Sequence, residues 1–123
     1  MNMILCSENF DLIVTIVDKG FAEEVILASK KAGAEGGTII GGRGCGIHDK
    51  AKIFGMAIEP EKEVVLTLIQ NEKTDTVLQA IHDAAGLAKP GKGIAFVLEV
   101  SKTMGICHLL PGDPVEKKQE VDG

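Results

Sequence analysis

The sequence contains no tryptophan and no tyrosine, and aromatic residues make up only 3% of it. A base-stacking platform for single-stranded nucleic acid therefore has almost nothing to be built from. The hydrophobic core must be assembled from Ile, Val, Leu and Ala. Basic residues are also in deficit: 13 Lys and Arg stand against 18 Asp and Glu, a formal net charge of -5. Nucleic-acid affinity rests on Lys and Arg set against phosphates, and attachment to an anionic bilayer surface rests on the same residues. Neither nucleic acid nor a membrane surface is expected as a partner. Cysteine is sparse: Cys6, Cys45 and Cys107 form an odd, widely spaced set with no CxxC pair. That is no disulfide framework, and a reducing cytoplasmic setting is the expectation. Met3, Ile4 and Leu5 are apolar, but no basic segment and no long apolar run accompanies them. Neither a secretion signal nor direct membrane insertion is expected.

What is present is ordinary globular material, 45% hydrophobic and 25% charged. A length of 123 residues suits one domain, here taken as residues 1–123 with a core over about 10–102 and a tail over about 109–123. A core of this size, with few aromatics, is marginal on its own, so self-association is expected.

Leu12–Val17 is a short, β-branched, nearly continuous apolar run, which predicts a strand buried on both faces. Phe21, Val25, Ala28 and Ala32 recur at helical spacing; Glu23 and Glu24 lie in the first turn, where the helix dipole favours carboxylates, and Gly33 follows as a stop. Thr38–Ile40 predicts a short strand running into glycines, and residues 46–52 a loop. Phe54, Met56 and Ile58 alternate with Gly55, Ala57 and Glu59, which predicts a strand with one buried face. A turn at Pro60–Glu61 would join it in a hairpin to a strand over Val64–Ile69. Val77, Ile81 and Ala84 line one face of a second helix over Thr74–Ala85, capped by Thr74 or Asn71 and ended by Gly86. A final strand spans Ile94–Val100. The order β-α-β-β-α-β is the split βαβ, ferredoxin-like α+β pattern with an antiparallel sheet.

Two loops stand out chemically. Six of the 15 glycines fall between Gly36 and Gly46, and the stretch Gly41–Gly46 also carries Arg43, the sole arginine of the chain. Glycines let backbone N–H groups approach a ligand and form anion nests, and a guanidinium offers a planar fork to phosphate or carboxylate. The stretch lacks the GK[ST] of a phosphate-binding P-loop, and no helix opens directly after it as a dinucleotide fingerprint requires. The second loop, Lys89-Pro90-Gly91-Lys92-Gly93, joins the second helix to the last strand and would serve anions in the same way. Cys45 and His48 are too few for a structural zinc site, and no base for a Cys45 nucleophile is placed by the sequence. Glu23 with Glu24, and Glu61 with Glu63, read as helix-start and turn charges rather than catalytic pairs.

The order and spacing of these segments resemble the PII signalling proteins over roughly 90 residues. The resemblance is carried by the first strand and helix with Gly33, Thr38, Gly44 and Gly46, by Ile58-Glu59-Pro60, and by Gly91-Lys92-Gly93-Ile94-Ala95-Phe96-Val97. It implies a homotrimer of ferredoxin-like subunits that is not an enzyme and has no obligatory cofactor. Adenine nucleotide (ATP, ADP or AMP) would bind in clefts between subunits, and a protruding T-loop would dock onto a protein target such as a membrane transporter or a metabolic enzyme. Carried over residue by residue, Gly44 and Gly46 stand at the T-loop base, Ile16 and Thr38 line the nucleotide pocket, and Gly91 and Gly93 form the phosphate cradle. Arg43, Cys45, Lys89 and Lys92 complete the candidate site. The chain departs from the family in having Ile94 where a lysine follows the second glycine loop, and Gly105 and Cys107 near two phosphate-binding arginines. Its T-loop, placed at about Ile47–Lys52, is expected to be short and offers no Tyr or Ser for modification. The alternatives are a PII-like trimer binding another small anion (bicarbonate, a carboxylate) or a metal, and a small redox sensor using Cys45.

Overall fold

The structure is a computed structural model. It describes residues 9–46 and 59–106, together with the backbone of 52–53 and 56–57. Cys6, Cys107, His48, His108 and the tail at 109–123 lie outside the described residues.

The main sheet has four strands in the order β2-β5-β1-β6, every neighbouring pair antiparallel. The strands are β1 (Phe10–Asp18), β2 (Thr38–Arg43), β5 (Glu61–Gln70) and β6 (Gly93–Val100). Helix α1 (Ala22–Lys31) joins β1 to β2, and α2 (Thr74–Ala85) joins β5 to β6 through a 3-10 turn at Asn71–Lys73 on its near side. The expected ferredoxin-like split βαβ fold is present, with one addition. A two-stranded ribbon of β3 (Lys52–Ile53) and β4 (Met56–Ala57) lies in the β2–β5 connection.

Alternation along the strands decides which side chains meet the helices. Ile13, Thr15 and Val17 of β1 and Val65, Thr67 and Ile69 of β5 face α1 and α2, where Ala22, Val25, Val77 and Ile81 close the core. Ile13, Val25, Val65, Val77 and Ile81 have no solvent exposure. The predicted burial of β1 on both faces holds in part: the helices cover one face, and on the other Phe10 and Val14 are buried while Leu12 and Ile16 are half-buried. That second face carries an apolar row across the strands, in which Val64, Ile16 and Ile94 pair side by side and Ile40 continues the row on β2. Ile40, Ile94, Phe96 and Leu98 are exposed on this face.

The hairpin is also corrected. The partners of β5 are β2 and β1, with Arg43 opposite Glu61, and the Gly44 N–H donates to the Pro60 carbonyl at 3.1 Å. Glu61 therefore opens a strand, and Lys52 sits in one. The connection runs from 44 to 60, well beyond the predicted Ile47–Lys52 loop. Phe54, Gly55 and Ile58 of the expected strand lie outside the described residues. Local alternation cannot reveal pairing, because a strand edge is taken by whichever partner the tertiary register offers.

Neither helix begins with a cap of its own. Phe21 and Lys73 occupy the N-cap positions without side-chain hydrogen bonds. For α1, Glu63 reaches over from β5 and accepts hydrogen bonds from the N–H groups of Gly20 at 2.8 Å and Ala22 at 3.2 Å. A carboxylate at a helix N-terminus satisfies open donors and complements the dipole, so Glu63 is a cap and not a turn charge. Thr74 does not cap α2; its hydroxyl donates to Asp11 Oδ2 at 2.7 Å and ties the helix to β1. Gly86, in the left-handed region at φ 66, ends α2 as predicted.

The hydroxyls of Thr15 and Thr67 are buried under the helices with no hydrogen-bond partner. An unmet buried hydroxyl costs about 1–3 kcal/mol, and an isosteric apolar side chain removes that cost. Thr67→Val is accordingly expected to stabilise the domain by about 1 kcal/mol, read as a raised urea midpoint. A lowered midpoint would show that the hydroxyl is satisfied in solution.

Candidate functional site

At the end of the sheet where β1 and β2 finish and β5 and β6 begin, the face turned away from the helices holds an open cleft of about 630 Å3. Alternation places its floor. Ile16, Val64 and Ile94 stand in register on three adjacent strands and present an apolar surface. One wall is the end of β2 with its glycines, Gly42–Gly46. The other is the segment that follows α2, Leu87–Gly91. Two short hydrogen-bonded turns shape that segment: Leu87 N–H donates to the His82 carbonyl at 3.1 Å, and Lys89 N–H to the Gly86 carbonyl at 3.0 Å. The two glycine loops, about fifty residues apart in sequence, face each other across the floor because β2 and β6 are the two edges of one four-stranded sheet.

Of the residues singled out from sequence, Ile16, Arg43, Gly44, Cys45, Gly46, Lys89, Gly91 and Gly93 all line this cleft. Thr38 does not. It is exposed on β2 opposite Leu66, four residues up the strand from Gly42. Lys92 is not in the lining either, and its ammonium lies 5.8 Å from the centroid of the Phe21 ring, within cation–π range, at the start of α1. Cys45 is an exposed free thiol whose Sγ approaches the Gly46 carbonyl at 3.7 Å.

Sequence reasoning missed Lys62. It lines the cleft, its side chain is only 13% exposed, and its Nζ donates to Asp18 Oδ1 at 2.7 Å. The signal was available. Lys62 stands two residues before Val64, in phase with Leu66 and Leu68, so a period-2 reading extended by one step puts a cation on the apolar face. A neighbouring pair, Lys19 and Glu61, meets at 3.0 Å on the surface, and the Glu61 carboxylate holds the Lys19 ammonium above its usual range.

Chemically, the cleft can seat a flat apolar group on the Ile16–Val64–Ile94 floor and an anionic group among the glycine backbones, Arg43, Lys62 and Lys89. Among the described residues, no group of three or more His, Cys, Asp or Glu is placed to hold a metal ion. No described helix is long and apolar enough to cross a membrane.

A four-stranded antiparallel split βαβ domain whose glycine loops meet over one sheet end defines a ferredoxin-like α+β protein with a ligand-sized cleft. The sequence model for Nitrogen regulatory protein P-II matches residues 10–107, and the chain belongs to that family of regulatory proteins. Among solved structures, Bacillus subtilis GlnK in complex with ATP is similar at 24% identity, over 82% of this chain and 90% of that one, with a TM-score of 0.64. Bacillus subtilis GlnK in a second structure is 18% identical, over 80% of this chain and 90% of that one, with a TM-score of 0.61. Arabidopsis thaliana PII bound to citrate is 23% identical, over 77% of this chain and 78% of that one, with a TM-score of 0.59. At these identities the likeness establishes the fold. No significant match was found among curated protein sequences.

Proposed function

We propose that the protein is a non-enzymatic cytoplasmic sensor. It binds an adenine nucleotide in the cleft at the sheet end and reports occupancy to a protein target through the β2–β5 connection. The observation that carries this reading is the cleft itself: an apolar floor for the base, two glycine walls for phosphates, and three cations. The connection roots directly in the Gly42–Gly46 wall, so a ligand in contact with that wall would bias the connection's position. The Bacillus subtilis GlnK neighbour was solved as an ATP complex, which supports a nucleotide as the ligand. Thr38 and Lys92, outside the lining of a single subunit, keep their proposed nucleotide role only in the assembled cleft. The exposed apolar row of Ile40, Ile94, Phe96 and Leu98 supports assembly into a homotrimer with those faces inward. The target is proposed to be a transporter or a metabolic enzyme.

Calorimetric titration with ATP, ADP and AMP tests the ligand. At least one is expected to bind below millimolar concentration, and Arg43→Ala is expected to weaken that binding by about 1.5–3 kcal/mol, the value of a hydrogen bond to a charged group. Absence of binding by all three would overturn the nucleotide reading. Binding unchanged within about twofold in Arg43→Ala, under about 0.5 kcal/mol, would remove Arg43 from it. Sedimentation tests the trimer.

A second reading has one specific observation behind it. The Arabidopsis thaliana PII neighbour was solved with citrate, and glycine N–H groups with Arg and Lys accept carboxylates as readily as phosphates. Citrate binding to this chain in the absence of any nucleotide binding would favour it.

A further inference from the structure

The cations of the cleft are not equally available to a ligand. Arg43 and Lys89 are exposed. Lys62 is nearly buried, and its ammonium is already engaged at 2.7 Å by Asp18, whose own side chain is 45% exposed. The pairing follows from the sheet register. Asp18 and Lys62 are direct cross-strand partners at the last rung of the β1–β5 ladder, one step beyond the Ile16–Val64 pair of the cleft floor. Both side chains therefore emerge on the cleft face, at the end where the glycine walls stand.

We propose that Asp18 is a specificity-determining residue of the cleft: by holding Lys62 it limits the number of negative charges the site accepts and favours ligands with few phosphates. The inference rests on the reading of the cleft as an anion site. Each added phosphate group brings further negative charge. A ligand group reaching Lys62 must displace a carboxylate already at contact distance or share the ammonium with it, and in either case it is repelled by the Asp18 charge. The repulsion grows with the charge of the ligand, and solvent at the half-exposed Asp18 side chain moderates it without removing it at contact distance. A monophosphate satisfied by Arg43, Lys89 and the glycine backbones avoids the penalty, and a triphosphate that extends from the glycine walls to Lys62 does not.

The test uses the full-length protein and two ligand series at fixed ionic strength: AMP, ADP and ATP, and inorganic phosphate, pyrophosphate and tripolyphosphate. Affinities are measured by calorimetry for the native chain, Asp18→Asn and Lys62→Gln, with thermal melts to establish that each is folded. Asp18→Asn is expected to raise the affinity for the triphosphate member relative to the monophosphate member by about tenfold, a shift of about 1.4 kcal/mol. Lys62→Gln is expected to lower the same ratio. If Asp18→Asn leaves the ratio within about twofold in both series, Asp18 does not set the charge limit and the proposal is overturned, whichever ligands bind. An increased ratio confined to the inorganic series, with no nucleotide bound by any variant, would sustain the role of Asp18 and overturn the nucleotide reading. No binding in either series by any folded variant would overturn both. Should Asp18→Asn fail to fold, an unchanged ratio in Lys62→Gln would overturn the proposal by itself.

Discussion

Gly93→Ala is expected to destabilise the domain by about 3 kcal/mol, through backbone strain and overpacking together. Gly93 opens β6 at φ 142, a conformation that side chains with a Cβ rarely adopt. A Cβ built there would stand 2.4 Å from the Ile16 carbonyl oxygen and 3.1 Å from a Val17 methyl. The near atom is main chain, so relief requires β1 and β6 to move apart at the rung where Val17 pairs with Gly93. The same rung borders the cleft, and ligand binding should fall with stability. Gly44→Ala is the paired control. A Cβ at Gly44 meets nothing within 4 Å, and its effect on stability should stay within about 0.5 kcal/mol. Urea unfolding at one fixed protein concentration measures both, since any assembly adds to apparent stability. A loss under about 1 kcal/mol for Gly93→Ala would mean that the strands relax more readily than the register implies. The comparison separates two roles that glycine plays in this site: Gly93 is demanded by the packing of the fold, and Gly44 is not.

Ile81→Ala is the second large effect, an expected loss of about 3–4 kcal/mol from lost transfer energy and the cavity left behind. Ile81 is fully buried on α2 and belongs to the cluster with Ile13, Val25, Val65 and Val77. It lies in the turn of α2 before Ala85, after which the chain passes through Gly86 into the Leu87–Gly91 wall of the cleft. A loosened α2 should therefore also blur that wall, weakening ligand affinity even in the fraction that remains folded. Denaturation gives the first quantity, and titration well below the unfolding midpoint gives the second. A loss below about 1.5 kcal/mol would indicate collapse of the neighbours into the space.

The element types were legible in the sequence because periodicity is local. The run Leu12–Val17, the apolar spacing of α1 and α2, and Gly86 each report a backbone state that neighbours in sequence largely decide. Pairing was not legible in the same way. The alternation at Phe54–Glu59 resembles a sheet strand, yet β5 pairs with β2 and β1, because register depends on groups far apart in the chain. The capping of α1 was not legible for the same reason. The donors at the start of α1 are met by Glu63, more than forty residues later in the sequence, and no window around Phe21 contains that carboxylate.

The candidate site divides along the same line. Composition and spacing determined that two glycine loops with Arg43 and Lys89 existed, and that aliphatic residues would have to form the core. Only the tertiary structure decided that both loops stand over one floor of Ile16, Val64 and Ile94, that Lys92 turns to Phe21, and that Lys62 enters the site already paired with Asp18. The physical reason is that a residue's chemical type is set by the chain alone, whereas its partners are set by the antiparallel sheet. The sheet places Asp18 and Lys62, forty-four positions apart, at 2.7 Å.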